Sequence, residues 1–111
     1  SNALTFCMGT IAELYNSLGG KTFLLGKPSI EIYKKTFEEL KNIKKSRILA
    51  IGDSLFHDIN GAINFGIDSV LITSGIHKDL FKNSMEKGLK NLENEKKWNF
   101  KPTYACENFS I

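Results

Sequence analysis

The sequence predicts an α/β fold: part of a doubly wound, Rossmann-like parallel sheet with helices on both faces. Three observations lead there. Residues 47–51 (RILAI) and 68–73 (DSVLIT) are nearly unbroken apolar runs, the pattern of strands buried on both faces. Between them Ile59, Ala62 and Ile63 recur at helical spacing, and Gly66 supplies a left-handed stop. A strand, a helix and a strand in so short a span demand a right-handed parallel crossover.

The remaining elements follow in order. Ile11, Leu14, Tyr15 and Leu18 form a helical stripe that Gly19-Gly20 ends. Residues 21–25 read as a short strand, broken by Gly26-Lys27-Pro28. Ile30, Tyr33, Phe37 and Leu40 mark a second helix, with Pro28 and Ser29 suited to its first turn. Asp58 is expected to open the third helix. Ser74-Gly75 turns the chain into a polar helical region, and residues 103–106 form a last strand after Pro102.

With 111 residues the chain is one domain at most. A domain of that size buries somewhat over ~60% of its unfolded surface, enough for one modest core. A hydrophobic content of 41% and a charged content of 24% argue against disorder. The net charge of +3 is no nucleic-acid signature, because Lys and Glu interleave over residues 78–97 as on a solvated helical surface. No apolar run reaches the ~20 residues of a membrane span. Cys7 and Cys106 read as free thiols of a reducing, cytoplasmic compartment. Ser1-Asn2-Ala3 reads as the remnant of a cleaved tag.

Ligands of such sheets bind outside the carboxyl ends of the strands. Gly52, Asp53, Ser54 and Asp58 fall there, and two converging carboxylates suit a hard cation such as Mg²⁺. The plainer reading makes Asp53 a turn former and Asp58 an N-cap. The letters Gly52-Asp53-Ser54-Leu55 also spell the GDSL motif of serine esterases. A nucleophilic Ser54 needs a base within reach and a third group to orient that base. His57 is too near along one short loop to be the expected base, and His77 would serve only if the turn after the second strand folded over. The late Asp-x-x-His and Gly-x-Asn-Asp blocks of that family are absent, so the esterase stands as the alternative.

Gly26-Lys27-Pro28, a helix, an apolar strand running into Gly52-Asp53, and Asp58 beyond it together resemble the haloacid dehalogenase-like phosphohydrolases. The likeness is to the class IIA type, which includes nitrophenylphosphatase, phosphoglycolate phosphatase and pyridoxal phosphatase. The tail is similar too: Gly66-Ile67 before a strand, Ser74-Gly75 after it, and Pro102-x-Tyr104 near the end. The resemblance implies an aspartate nucleophile that forms an aspartyl-phosphate, with Mg²⁺ between the two anions. Carried onto this sequence, Lys27 is the lysine that steadies nucleophile and phosphate. Asp53 is the metal-binding acid, and Asp58 is the acid that orients metal-bound water or the lysine. Ser54 is a supporting hydroxyl on the substrate side. His57 departs from the family's small polar residue, and His77 is expected to cap or flank the helix after it.

The family's nucleophile lies in an Asp-x-Asp motif. The aspartates here are Asp53, Asp58, Asp68 and Asp79, and no two are separated by one residue. The resemblance therefore implies a C-terminal portion. Residues 4–25 would be the end of the mobile cap, helix plus strand, and residues 26–111 the second half of the hydrolase core. The expected parent is a cytoplasmic, Mg²⁺-dependent phosphatase of a small phosphorylated metabolite. The chain alone is expected to be inactive and to hold Mg²⁺ weakly. In the family, RILAI lies beside the nucleophile's strand, so that edge is expected here to be covered by self-pairing, a swapped element or a rearranged cap strand. A non-catalytic α/β interaction domain is the remaining alternative.

Overall fold

Three parallel strands, β1 (Leu49–Gly52), β2 (Asp68–Ile72) and β3 (Tyr104–Cys106), form a sheet in the order β1-β2-β3 in the computed structural model. The structure describes residues 7–95 and 99–110. The tag remnant expected at 1–3, the first residues of the 4–25 segment and the end of the 78–97 stretch lie outside the described residues. Leu49 pairs with Asp68 and Gly52 with Leu71, while Val70 pairs with Tyr104 and Ile72 with Cys106. Ser69 and Thr103 fasten the start of the second pairing, Ser69 N–H donating to Thr103 Oγ1 at 3.0 Å. Thr73 and Ser74 extend it through their amides to the Cys106 and Glu107 carbonyls, at 2.9 and 3.2 Å. Because all strands run one way, their C-terminal turns emerge along a single edge.

The helices are α1 (Met8–Ser17), α2 (Ile30–Glu39), α3 (Asn60–Phe65) and α4 (Met85–Asn94). Leu55, Ile59, Leu71 and Leu92 form the buried core, joined by Leu80, Phe81, Leu89, Phe100 and Ala105. The polar stretch is thus amphipathic over residues 78–94: a short turn at Lys78–Phe81 and α4 each give apolar side chains to the core while their charges face water. Ser84 caps α4, its hydroxyl accepting from Lys87 N–H at 3.1 Å. On α2, Tyr33 and Phe37 each place a ring 5.6 Å from that of Phe65 in α3. Lys45 stands 4.0 Å from the centre of the Phe65 ring and donates to the Phe65 carbonyl at 2.8 Å, closing the end of α3. These contacts hold α2, and the Gly26–Ser29 turn before it, against the start of α3.

Several expectations are corrected. Residues 21–25 form no strand; Phe23 is 92% exposed, and the run pairs with no strand among the described residues. The α1 stripe forms but stays exposed, as does Ile30 on α2. The RILAI run is not buried on both faces. Residues 45–47 make a helical turn, and Leu49 and Ile51 are 47% and 42% exposed. The reason is topological: β1 is an edge strand, with β2 on one side and no other strand beside it among the described residues. Inward positions on α3 are Ala62 and Phe65, whereas Ile63 is exposed. Gly66 ends α3 with φ of 82°.

Candidate active site

The site lies where β1 runs out. The turn Leu55–Ile59 is wider than an α-turn. Ser54 O accepts from both Asp58 N–H at 2.9 Å and Ile59 N–H at 3.1 Å, the second bond spanning five residues. Such widened turns recur at functional sites. The extra residue swings Asp58 back over the strand end, so the plainer expectation of Asp58 as an N-cap is corrected. Ser54 is the cap, its hydroxyl accepting from His57 N–H at 3.0 Å.

Asp58 is 7% exposed and fully engaged. Its Oδ1 takes the Lys27 ammonium in an ion pair that bridges 31 residues of chain, and its Oδ2 accepts from Ser54 N–H at 3.1 Å. The carboxyl lies flat against Gly52, where any β-carbon would overlap it. Tyr33 Oη donates to the Asp58 carbonyl at 3.4 Å. Burial pushes the Asp58 carboxyl up, but the Lys27 and Ser54 hydrogen bonds and the Lys27 charge outweigh it, leaving Asp58 below the usual carboxylate range. The same hydrogen bond raises Lys27 above the usual lysine range against a smaller opposing effect of burial, with added help from the Asp58 and Asp53 charges.

Asp53 lies on the other side of the turn. Its Oδ2 accepts from Ile76 N–H at 3.2 Å, and its carboxyl packs against Gly75, which again has no room for a side chain. The structure therefore brings Lys27 and Asp58 into contact and puts Asp53 within the electrostatic reach of Lys27. Ser54 is 7% exposed, with its amide on Asp58.

Two findings go beyond the sequence reading. Ser54 Oγ and His57 Nδ1 are 3.0 Å apart, closer than the short loop suggested. This is a local cap and no triad. The hydroxyl is buried and also takes the His57 amide, and no acid orients the His57 ring among the described residues. His77 does not merely flank the turn after it: its Nε2 accepts from Leu55 N–H at 3.1 Å, across 22 residues. No local pattern signals that contact. A histidine just beyond a Ser-Gly turn at a strand end was the only hint.

A lysine paired with one buried acid, beside a second acid, at the carboxyl edge of a parallel sheet is an arrangement suited to an anion and a hard cation together. Comparison with known proteins agrees in kind. Residues 24–110 match the family described as HAD-hydrolase-like, and the chain belongs to that family of haloacid dehalogenase-like hydrolases. It is 30% identical to a haloacid dehalogenase-like hydrolase from Brucella suis, with a TM-score of 0.64 over 95% of this chain and 38% of that one. A possible sugar phosphatase from Cytophaga hutchinsonii shares the fold, with a TM-score of 0.69 at 24% identity over 100% of this chain and 38% of that one. Over 58 residues, 52% of this chain, it is 36% identical to the phospholysine phosphohistidine inorganic pyrophosphate phosphatase of Xenopus laevis, of which it spans 21%. The chain thus spans well under half the length of these relatives. Among the described residues no helix is long and apolar enough to cross a membrane.

Proposed function

We propose that this chain is the C-terminal portion of a Mg²⁺-dependent phosphohydrolase that cleaves a small phosphomonoester through an aspartyl-phosphate. The observation that carries this reading is the Lys27–Asp58 ion pair, formed beside Asp53 by residues from two separate turns. Relatives of the kind just described support the reaction class.

The chain's own residues divide the work. An ammonium has three N–H donors. One is committed to Asp58, and the Lys27 side chain is 55% exposed, which leaves donors to meet a phosphoryl oxygen. Asp58 keeps that ammonium charged and aimed. Ser54 N–H and Gly52 fix Asp58 in turn, and Ser54 acts through this backbone contact and its cap, behind the substrate.

Asp53 and Asp58 are the residues that would hold Mg²⁺. The donor set fits a hard cation in part. Among the described residues Asp53 has one carboxylate oxygen on Ile76 N–H and no hydrogen bond to the other, whereas both Asp58 oxygens are engaged. Among the described residues no three His, Cys, Asp or Glu side chains gather closely enough to hold a metal. When bound, the ion supplies neutralisation of charge between phosphate and carboxylates. The remaining oxygen ligands, and the nucleophile, would come from elsewhere in the parent protein.

The test uses the protein encoded by the complete reading frame. It should hydrolyse p-nitrophenyl phosphate, and Asp53→Asn or Lys27→Ala should each lower kcat/KM by roughly 100-fold or more, the scale of losing a preorganised charge at a reacting group. Full activity in both variants would refute the assignment.

A further inference from the structure

The turns after β1 and β2 are laced together by two hydrogen bonds that run in opposite directions. Ile76 N–H donates to Asp53 Oδ2 at 3.2 Å, and Leu55 N–H donates to His77 Nε2 at 3.1 Å. Gly75, just before Ile76, lies against the Asp53 carboxyl. One bond therefore uses a side chain of the first turn and the backbone of the second, and the other does the reverse. A turn held from both ends in this way can neither slide nor rotate past its neighbour.

We propose that His77 is a positioning residue, whose neutral imidazole, protonated at Nδ1, is the acceptor that fixes the Asp53–Asp58 turn. Leu55 is fully buried, so its amide has no water to turn to if His77 is removed. Leu55 also sits between the two acids in sequence, directly after Ser54, whose carbonyl organises the widened turn and whose amide holds Asp58. Its side chain is locked in the core with Ile59, Leu71 and Leu92. The core thus anchors the turn from below and His77 anchors it at the rim. A ring nitrogen that accepts a hydrogen bond carries no proton, so the geometry requires the Nδ1–H form. The catalytic meaning of this positioning rests on the phosphohydrolase reading; the lacing itself does not.

The experiment is nuclear magnetic resonance on the ¹⁵N-labelled 111-residue chain. Long-range correlations of the His77 ring should show an unprotonated Nε2 and a protonated Nδ1, with scalar coupling from Leu55 N–H to Nε2. In His77→Leu the Leu55 amide should exchange with solvent roughly tenfold faster or more, as expected for a buried donor that has lost its acceptor. The Ile76 amide and Asp53 carboxyl signals should move with it, while the Ser69 amide at the other end of β2 holds still. His77→Gln keeps an acceptor and should restore most of the Leu55 protection, which a purely space-filling role would not do. A proton on Nε2, or unchanged Leu55 exchange in His77→Leu, overturns the proposal. If His77→Leu does not fold, the ring's protonation state and the glutamine variant decide. None of these readouts involves phosphate. A chain that proved not to be a phosphatase would still test the lacing, and an inert His77 would leave the phosphatase reading standing.

Discussion

Replacing Gly52 by alanine is expected to destabilise the fold by about 1–5 kcal/mol. The sign is the informative part. Gly52 lies at the end of β1 and has no left-handed φ, so its backbone tolerates a side chain. On backbone entropy alone, alanine would stabilise by about 0.5–1 kcal/mol. The steric term runs the other way. A β-carbon there would overlap the carboxyl carbon, one oxygen and the Cβ of Asp58. Asp58 cannot swing aside cheaply, because Lys27 holds Oδ1, Ser54 N–H holds Oδ2 and the residue is 7% exposed. Overpacking at such a site costs about 1–3 kcal/mol. Stripping the Ser54 amide of its acceptor costs a further ~1–3 kcal/mol. Together these exceed the entropic gain.

Urea unfolding followed by circular dichroism measures the effect, with an unchanged m-value as the sign that the native state keeps its compactness. The double variant with Asp58→Ala isolates the cause. Once the carboxyl is gone, the alanine at position 52 should cost little, so the two changes should be strongly non-additive. A Gly52→Ala chain as stable as the wild type would refute the packing of Asp58 over the strand end. So would a cost that survives in the Asp58→Ala background.

Three other outcomes are expected. Asp58 is held below its usual range and Lys27 above its own, so their pair contributes stability from above the ordinary Asp58 value of 3.8 to below the ordinary Lys27 value of 10.5. That contribution falls away as pH drops through the lowered Asp58 value, or rises through the raised Lys27 value. Lys27 is 55% exposed, so solvent limits the effect to about 1 kcal/mol, and Asp58→Asn should flatten the acid limb of stability against pH. The 111-residue chain alone should turn over no p-nitrophenyl phosphate and should show no micromolar Mg²⁺ affinity by calorimetry; either activity or tight binding would count against the reading. Finally, the outer edge of β1, with Leu49 and Ile51 half-exposed beside a groove of ≈ 240 Å³ lined by Phe37, Ile48 and Phe65, should drive self-association. Sedimentation should show association that rises with concentration and weakens in Ile51→Lys, and a strict monomer at high concentration would refute it.

Local physics wrote most of the fold into the sequence. The DSVLIT run alternates buried Ser69, Leu71 and Thr73 with half-buried neighbours, and it became the central strand. Ser29 and Gly66 acted where their chemistry directs, as an N-cap and a left-handed stop. Lys27, Asp53 and Asp58 were legible as candidates because a turn and a strand end are places the chain cannot hide. What stayed illegible was set by neighbours distant in sequence. The 21–25 run has strand composition but no strand to pair with among the described residues, and β-propensity is mostly a statement about pairing. The apolar run alone makes RILAI look doubly buried; that it lies at an edge is an expectation from the family resemblance and not from the run itself. The inward swing of Asp58 depended on one five-residue hydrogen bond, which no spacing rule predicts. The grip of His77 on Leu55 depended on two turns being adjacent, a fact that exists only once the strands have paired in parallel.

That adjacency also explains why so few charges organise the site. One ammonium and two carboxylates leave it net negative, a poor host for a phosphate dianion on its own. Lys27 grips one oxygen of Asp58, and the rest of what holds the acids in place is neutral: Ser54 N–H on Asp58, Ile76 N–H on Asp53, and two glycines with nothing in the way. Backbone donors stabilise carboxylates without cancelling their formal charge, so the Asp53 oxygen that is not on Ile76 N–H remains available to a divalent cation. On the proposed reading, phosphate would approach Lys27 only when positive charge arrives with it. An arrangement that is well ordered yet net negative fits the proposed reading of half a metal-dependent phosphoryl site, and on that reading order in this chain and catalysis by it are separate expectations.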